Sequence, residues 1–457
     1  MVIFFENLNR FASGLFSNKE SRQKDIVMGI LTFILAFLIR APQIEKPIVA
    51  VLDEAVFKVY ALNTLAGKPF FEPSPPLGWM IFSLSTFGMS PEKIGSFPSA
   101  VGSLFFGFPF EKARAISLFF GSLIPVFLFI FARLLKFSIF ESILPAVFAV
   151  FDNALIIHSR IMMPDAIMIF LGLAGVVTVF FALREEEWSR YRIPLLFAGI
   201  LFGMTFSIKW TGLAYLAIGS FLFLLAKKYK AVFFVSVTAF LTYLFIMVFY
   251  FNIFAPGPVI KEAGFYENGP GTEIVFPGTG EWLENLKFVG TYSRAMFSMR
   301  SSLVPSWLKE RGDSPYWWLV PGARKADMFY LQNSSDSRKI ILRGNPVSWS
   351  LVSLSLLVLI IVALKKIIKS KEFANAEVLL IFAFAINFVP FLFIDYFSSS
   401  PVWLYHYLSA LCFGFLAVPL ALRIIIKKEN LRRWVYYAII FGSVLPYGFT
   451  LSSIYCL

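Results

Sequence analysis

Long apolar stretches separated by short polar connections make up most of the chain. Most of them are about 17–25 residues long, the length that a helix needs to cross roughly 30 Å of hydrocarbon. Backbone groups within lipid must be hydrogen-bonded inside their own segment, so these stretches predict transmembrane helices. We place eleven spans, at 25–41, 112–134, 139–157, 162–183, 192–208, 211–227, 231–254, 347–364, 377–395, 402–422 and 434–455. The expected fold is an all-α polytopic membrane protein with two long loops, 42–111 and 256–346, that bear amphipathic helices.

The amino-acid composition supports the membrane class. Hydrophobic residues make up 58% of the chain and charged residues 15%, whereas soluble domains average about 45–50% and about 25%. The net charge of +13 comes from short basic clusters between the apolar spans, so no nucleic-acid partner is expected. The two cysteines, Cys412 and Cys456, lie far apart in apolar segments, which argues against a disulfide framework.

Lysine and arginine mark every alternate connection between the predicted spans. These basic residues are Arg10, Lys19, Arg22, Lys24, Arg133, Lys136, Arg184, Arg190, Arg192, Lys227, Lys228, Lys230, Lys365, Lys366, Lys369, Lys371, Arg423, Lys427, Lys428, Arg432 and Arg433. Because cytoplasmic loops carry an excess of both residue types, the N-terminus is expected in the cytoplasm and both long loops outside. The first 24 residues lack the pattern of a cleavable signal peptide and carry Phe4, Leu8, Phe11 and Leu15 at the spacing of an interfacial helix.

An acidic pair, Asp53-Glu54, follows the first predicted span on the outer side. An aspartate at the N-cap with a glutamate in the first turn is an ordinary way to begin a helix. The same carboxylates also offer a general base for a reaction at the membrane surface. Both interpretations stay open on the local sequence alone.

Three cations are expected at the outer ends of the spans, Arg114, Arg160 and Lys209. Each alone is typical of a side chain that snorkels to the membrane interface. Together, on the side opposite the basic connections and near Asp53 and Asp165, they indicate a site that holds an anionic head group.

A dense polar patch surrounds the connection between the third and fourth spans, from Asp152-Asn153 through His158 to Asp165. Carboxylates and an imidazole can in principle ligate a metal. His158 and His406 are the only histidines in the sequence, however, and no pair has ligand spacing. A hydrogen-bonded network is therefore favoured, and neither a metal nor a cofactor is expected.

Several of these segments resemble, in order, the motifs of the dolichyl-phosphate-mannose protein O-mannosyltransferases. The segments are Asp53-Glu54, Pro75-Pro76-Leu77-Gly78, Arg114 with Phe120-Gly121-Ser122-Leu123, Phe151-Asp152-Asn153 through His158-Ser159-Arg160, Ser207-Ile208-Lys209-Trp210-Thr211-Gly212, Gly344-Asn345-Pro346-Val347 with Trp349, and Tyr405-His406-Tyr407. The match is strongest over residues 50–215. It implies the C-type glycosyltransferase fold, and the eleven spans agree with the family's topology.

The chain also departs from the family pattern. Ser74 and Trp79 stand where the family usually has His and Lys, and Pro164 stands where it has Leu. The second outer loop is too short for the β-trefoil MIR domain that eukaryotic members carry there. These departures bear on acceptor recognition more than on donor chemistry, and they predict a bacterial or archaeal member without the MIR domain.

The resemblance implies a glycosyltransferase that moves mannose, or a related sugar, from a polyprenyl- or dolichyl-phosphate donor to Ser or Thr hydroxyls of proteins. Asp53 is expected to act as the base, and Glu54 to position the acceptor or the sugar. Contacts with the donor phosphate and sugar are expected from Arg114, Arg160, Lys209, Asp165, Trp210 and His406. One carboxylate and one displacement predict inversion at the anomeric carbon.

The same analysis divides the chain into four parts. Residues 1–24 are a cytoplasmic interfacial segment, and residues 25–255 are an N-terminal catalytic transmembrane module that includes the outer loop 42–111. Residues 256–346 form the extracytoplasmic loop, and residues 347–457 are the C-terminal transmembrane helices.

Two other functions stay open. The first is a transferase of the same fold that acts on a lipid or glycolipid acceptor instead of a protein. A transporter lined by charged residues is disfavoured, because the charges lie at one face and no inverted repeat is visible. The expected partners are the lipid-linked donor, the acceptor and membrane lipid. Pairing with a second chain in a dimer stays open. The expected location is a prokaryotic cell membrane, with the active site on the extracytoplasmic side.

Overall fold

The computed structural model describes residues 19–68, 70, 72, 74–89, 101–105, 107–185, 187–254, 282–302, 314–320, 328–332, 339–370, 375–397 and 402–455. Its helices, in chain order, are α1 (Lys19–Arg40), α2 (Glu54–Leu65), α3 (Leu77–Ser83), α4 (Phe110–Leu134), α5 (Ile139–Phe151), α6 (Asn153–Arg160), α7 (Asp165–Arg184), α8 (Trp188–Phe206), α9 (Leu213–Leu225), α10 (Tyr229–Phe249), α11 (Trp282–Ser302), α12 (Pro346–Ser370), α13 (Ala376–Phe397), α14 (Leu408–Ile425) and α15 (Glu429–Tyr455). Short 3₁₀ segments lie at Leu84–Thr86, Trp210–Gly212, Pro315–Leu319 and Leu404–Tyr407, and a π-helical turn lies at Tyr250–Phe254.

Each of the eleven predicted spans coincides with a helix, except that the span predicted at 139–157 coincides with two helices, α5 and α6. By length and apolar composition, six of the described helices can cross a membrane, or seven when the bent pair α5–α6 is taken as one span. The segment Trp210–Leu225 is apolar but shorter than roughly 30 Å of hydrocarbon requires. The helical membrane architecture is therefore confirmed, while the count of eleven crossings stays a prediction.

Helices α7 and α14 form the centre of the bundle. In their most apolar stretches 83% and 78% of the residues are buried, whereas in the helix that begins at Tyr229 only 33% are. That helix, α10, exposes large apolar side chains such as Phe233, Phe240 and Phe245. Helices that are apolar on all sides need either protein or lipid around them, so α10 lies at the lipid-facing edge.

Asp152 sits at the break between α5 and α6, where the two helices meet at 55°. One of its carboxylate oxygens caps α6 by accepting from the Leu155 amide at 3.0 Å, and the other accepts from the indole N–H of Trp349 at 2.7 Å. The neighbouring Asn153 side chain accepts from the Arg343 amide. This part of the polar patch therefore joins the bend to the start of α12, as a hydrogen-bonded network would.

Two glycines of the motif segments mark places where segments touch directly. A Cβ atom on Gly121 would lie 2.2 Å from the Cβ of Ser159, so α4 and α6 are in backbone-to-side-chain contact there. A Cβ on Gly78 would lie 2.9 Å from Pro164. Separate motif segments thus meet at one end of the bundle.

The loops differ from an all-α description in one respect. Within the second long loop, strands β1 (Met328–Gln332) and β2 (Lys339–Leu342) form an antiparallel pair. The first long loop contains α2 and α3, and the second contains α11. Residues 1–18 of the expected interfacial segment lie outside the described residues, and residues 19–24 continue directly into α1.

Candidate active site

Asp53 lies immediately before α2, at the end of the bundle where the first long loop begins. Its backbone carbonyl accepts from the amides of Val56 and Phe57 at 2.9 Å, which starts the helix, but its side chain makes no capping hydrogen bond. The preceding residue, Leu52, has φ of +47°, a left-handed conformation that is uncommon for a non-glycine residue. Among the described residues nothing hydrogen-bonds the Asp53 carboxylate, so the helix start leaves it available for chemistry.

Glu54 has a different environment from its neighbour. It is fully buried, and Arg114 donates to both of its carboxylate oxygens at 2.8 Å. The amides of Val51 and Met162 also donate to it, at 2.9 and 2.8 Å. Glu54 therefore connects the loop before α2 to α4 and to the segment after α6.

All five N–H groups of the Arg114 guanidinium donate to atoms of the protein. Besides Glu54, it donates to the backbone carbonyls of Ile44, Pro47 and Val49. Its guanidinium also lies over the ring of Phe110, 4.9 Å from the centroid. A buried arginine with five such bonds holds the outer loop in shape.

Arg160 acts on the same loop from α6. It is buried and donates to the carbonyls of Arg40, Pro42 and Gln43, which follow the end of α1. Arg40 in turn donates to the Ser159 hydroxyl and to the carbonyl of Ala149. Two arginines thus fix the exit of α1 against the α5–α6 bend.

Lys209 and Asp165 form the centre of a separate charged cluster. The lysine Nζ lies 2.8 and 2.7 Å from the two carboxylate oxygens, and its side chain keeps 11% of its surface exposed. The Nε2 atom of His158 lies 3.4 Å from the same carboxylate. The ring of Tyr405 stacks on His158 and lies 5.0 Å from Lys209 Nζ. Residues from α6, α7, the end of α8 and the C-terminal half meet in this cluster.

Asp53 lies within electrostatic range of that cluster. Burial raises the pKa of the Asp53 carboxyl above its ordinary value, and the Lys209 ammonium partly offsets this shift. The Asp165 carboxylate raises the same pKa, and His158 lowers it. The acid, the lysine and the second carboxylate, which the sequence places far apart, therefore share one site.

A cavity of about 340 Å³ opens beside this cluster, between α7, α9, α13 and α14. Its polar wall contains three residues expected from the sequence, Asp165, Trp210 and His406. The remaining wall is mostly apolar and consists of Met168, Ile169, Leu213, Ala214, Ala217, Ile386, Pro390, Phe391 and Ile394 among others. An apolar slot with a few polar groups at one end suits a ligand that has a hydrocarbon tail and a polar head.

His406 is held in place within this wall. Its Nδ1 atom accepts from the Trp403 amide at 3.0 Å, and its ring stacks on Phe391 with centroids 4.7 Å apart. Trp210 packs against Tyr243 at 5.4 Å. Both rings therefore have fixed orientations toward the cavity.

Family models match both halves of the chain. One, described as dolichyl-phosphate-mannose-protein mannosyltransferase, covers residues 30–256. The other, the C-terminal four-transmembrane region of protein-O-mannosyltransferase, covers residues 287–457. The chain belongs to the protein O-mannosyltransferase family.

Curated members of this family are similar over part of their length. The chain is 23% identical over 194 residues to dolichyl-phosphate-mannose–protein mannosyltransferase 6 of Saccharomyces cerevisiae, and 27% identical over 196 residues to mannosyltransferase 4 of Schizosaccharomyces pombe. Each alignment covers 42% of this chain and 25% of the relative. The matched region thus spans about a quarter of the length of these relatives.

Solved structures show the same fold. A chain of the S. cerevisiae protein O-mannosyltransferase Pmt1–Pmt2 complex bound to the sugar donor superposes with a TM-score of 0.74 at 15% identity, covering 94% of this chain and 90% of that one. The Archaeoglobus fulgidus oligosaccharyltransferase superposes with a TM-score of 0.53 at 12% identity, over 93% of this chain and 53% of that one. The fold of this mannosyltransferase family member is therefore that of the C-type glycosyltransferases.

Sequence reasoning missed some buried charges of this family member. Arg40 carries the same signal as Arg114, a cation at the outer end of a predicted span, and it is buried. Lys58 stands four residues after Glu54 in α2, a spacing typical of a surface ion pair, yet it is fully buried and its Nζ lies 5.7 Å from the Phe105 ring centre.

The structure offers little for metal binding in the part that it describes. Among the described residues, no group of three or more His, Cys, Asp or Glu side chains is arranged to hold a metal ion. The carboxylates of the site instead face arginine, lysine and histidine.

Proposed function

We propose that this protein transfers mannose, or a related sugar, from a polyprenyl-phosphate donor to Ser or Thr hydroxyls of proteins, with Asp53 as the base. The observation that carries the proposal is the Asp53 carboxylate, which has no hydrogen-bond partner among the described residues and lies within electrostatic range of the Lys209–Asp165 pair. The family membership supports the donor class, because the matching family model is described as a dolichyl-phosphate-mannose-protein mannosyltransferase.

The donor fits the cavity between α7, α9, α13 and α14. Its prenyl chain lies along apolar side chains such as Ile169, Leu213 and Ile386, and its phosphate lies at the polar end, where His406 and the Lys209-paired carboxylate of Asp165 line the wall. Burying the tail in an apolar slot supplies affinity, while the few polar groups fix the orientation of the head.

Lys209 is the cation that we assign to the donor phosphate. It is partly exposed, whereas Arg114 and Arg160 are buried and bonded to carbonyls and to Glu54. We therefore propose that these arginines, and Glu54, act on the reaction by holding the loop that carries Asp53. For Arg114, Arg160 and Glu54, this positioning role replaces the direct contact with the donor phosphate or the sugar that the sequence indicates.

The reaction is a single displacement. Asp53 takes the proton of the acceptor hydroxyl as its oxygen attacks the anomeric carbon, and the bond from that carbon to the phosphate oxygen breaks. The electron pair leaves with the phosphate, whose charge Lys209 stabilises, so no general acid is needed. The nearby second carboxylate, Asp165, is paired with Lys209 and is not placed to act as a nucleophile. The product therefore has inverted configuration.

Labelled donor tests the proposal directly. Membranes that contain the protein are incubated with radiolabelled polyprenyl-phosphate mannose, and label is counted separately in protein and in lipid extracts. Asp53→Asn is expected to reduce protein labelling at least 100-fold with unchanged expression, because a general base contributes roughly 10²–10⁴ in rate. Glu111→Gln, an exposed carboxylate on α4, is the matched control and is expected to keep wild-type activity.

Two outcomes contradict the proposal. Undiminished labelling by Asp53→Asn removes that residue from the role of base. Label that enters only the lipid extract changes the acceptor from protein to lipid, with the same donor and fold. Digestion of the product with linkage-specific mannosidases reads the anomeric configuration and tests inversion.

The proposal includes a location and a partner. The expected extracytoplasmic position of Asp53 rests on the basic residues at the opposite end of the bundle, such as Arg133 and Arg184. We propose a prokaryotic cell membrane because the second outer loop is short. The similar yeast protein is described as a Pmt1–Pmt2 complex, and pairing of this chain with a second chain is tested by its size in detergent.

A further inference from the structure

A polar pocket of about 300 Å³ lies between the starts of α5 and α15. Helix α4 separates it from the Asp53 end of the bundle, because Arg114, which contacts Glu54, lies in the first two turns of α4 and α5 begins just past its last turn. With 25 residues, α4 puts these two ends about 37 Å apart. The pocket is therefore separate from the cavity beside Lys209, and what it binds does not depend on the proposed transfer reaction.

Three arginines and two glutamates surround this pocket. Glu141, near the start of α5, has a nearly buried carboxylate that pairs with Arg423 at 2.5 Å and with Arg432 at 3.4 Å. Glu429 pairs with Arg433 at 2.6 Å in the exposed first turns of α15. Because three guanidinium groups face two carboxylates, the charged side chains at the pocket leave a net charge of +1.

Two exposed lysines add to this charge. Lys427 and Lys428 lie in the connection from α14 to α15, and neither makes an ion pair within the described chain. The segment 423–433 therefore carries five basic residues and a single acid, Glu429. Clusters of about four to eight lysines and arginines beside a transmembrane helix are typical of segments that bind anionic lipids.

Arg432 and Arg433 keep N–H groups that can donate to an anion. Arg432 uses Nε for Glu141 and Nη1 for the Ile426 carbonyl, at 3.0 Å, so its Nη2 group makes no hydrogen bond among the described residues. Arg433 uses only Nη2, in the pair with Glu429. Guanidinium N–H groups bind phosphate oxygens through charge-assisted hydrogen bonds. The pocket therefore offers donors that the protein itself does not saturate.

The pocket opens onto the apolar stripe of α15 that faces the surroundings of the bundle. Trp434, Tyr437, Phe441 and Leu445 recur at helical spacing, and each is at least half exposed. Tyr437 belongs both to this stripe and to the pocket wall. Since Trp and Tyr are enriched where the membrane meets water, Trp434 and Tyr437 put the mouth of the pocket at the depth of the lipid head groups. A phospholipid beside α15 thus has its acyl chains on the stripe and its phosphate at the pocket.

We infer that this pocket binds the phosphate of an anionic phospholipid through Arg432, Arg433 and Tyr437. The two guanidinium groups donate to the phosphate oxygens, and the Tyr437 hydroxyl donates a further hydrogen bond. The positive charge of the segment 423–433 favours a head group with a net negative charge over a zwitterionic one.

Three pairs of substitutions separate the pocket from general surface charge. Arg432→Gln with Arg433→Gln removes both cationic donors. Arg433→Gln with Tyr437→Phe leaves the buried ion pair of Arg432 intact, so it tests the site even where the first variant fails to fold. Lys227→Gln with Lys230→Gln is the matched control, because it removes two exposed cations at the same end of the bundle but outside the pocket.

Native mass spectrometry of the full-length protein measures the binding. Bound lipid is counted while phosphatidylglycerol is titrated, with phosphatidylcholine as the zwitterionic reference, and tighter binding of phosphatidylglycerol is expected. The double arginine variant is expected to bind phosphatidylglycerol at least about tenfold more weakly, the effect of one lost charge-assisted hydrogen bond. The variant with Tyr437→Phe is expected to weaken binding by a smaller factor, and the lysine control to leave it unchanged.

Three results would overturn the inference. Equal affinity for the two lipids, or unchanged binding in both pocket variants, would show that the pocket holds no anionic head group. An equal loss in the lysine control would assign the binding to surface charge in general. Displacement of the lipid by inorganic phosphate at millimolar concentration would make a soluble phosphate the ligand instead of a lipid.

Discussion

Adjacent or chemically equivalent residues of this candidate site have different surroundings. Glu54 and Arg114 are fully buried and bonded to each other and to backbone groups, whereas the neighbouring Asp53 carboxylate has no such bonds among the described residues. Lys209 differs from Arg160 in the same way, because it stays partly exposed beside a cavity. A charged group that is saturated by the protein can position a site but has little left to bind a substrate.

The pH dependence of transfer tests the role of Asp53. A base acts only when deprotonated, so kcat/KM falls as the pH drops through its pKa. Since burial raises the pKa of Asp53, we expect the acidic limb above the ordinary range of an aspartate. Lys209 lowers that pKa, so Lys209→Gln is expected to shift the limb of the residual activity to higher pH, whereas Lys209→Arg keeps it in place.

The measurement is kcat/KM with labelled donor at closely spaced pH values. If the acidic limb lies at the ordinary pKa of an aspartate and does not move in Lys209→Gln, another group limits the rate. A lower rate with an unmoved limb would assign Lys209 to the phosphate alone.

At the scale of elements, the apolar segments were predictable and their connections were not. Each predicted span coincides with a helix because about 20 apolar residues have few alternatives in a membrane. The break at Asp152 was not predicted, since the apolar pattern continues through it and only the bonds to Leu155 and Trp349 reveal the bend. The Glu54–Arg114 pair joins residues 60 positions apart, and periodicity carries no information about such partners.

Arg114→Met tests whether this pair holds the loop together. Removing one partner of a buried ion pair leaves an uncompensated charge and costs about 3–5 kcal/mol. Arg433→Met, which breaks an exposed pair with Glu429, is the control and is expected to cost about 0–1 kcal/mol. The free energy of unfolding is measured by denaturant titration in detergent micelles. If Arg114→Met is as stable as the control but inactive, Arg114 acts on the donor directly, as the sequence first indicated.

At the scale of the whole molecule, both halves of the chain build the site. Asp53, Asp165 and Lys209 come from the N-terminal module, while Tyr405 and His406 come from the C-terminal helices and complete the cavity. The assignment of catalysis to residues 25–255 stays a prediction, and the cavity wall draws on residues from that module and from the C-terminal helices. The motif Tyr405-His406-Tyr407 indicated that the C-terminal half contributes to the site, but hydropathy alone could not show that Tyr405 stacks on His158.

The orientation of the bundle in the membrane decides which acceptors Asp53 can reach. Lys112 and Arg190 are both exposed and lie at opposite ends, near the starts of α4 and α8. In a Cys456→Ser background, where the remaining Cys412 is buried, each is replaced by cysteine and treated with a membrane-impermeant maleimide. Because basic connections face the cytoplasm, Lys112→Cys is expected to react in intact cells and Arg190→Cys only after permeabilisation. The reverse pattern would put Asp53 and Lys209 on the cytoplasmic side and contradict the proposed extracytoplasmic site.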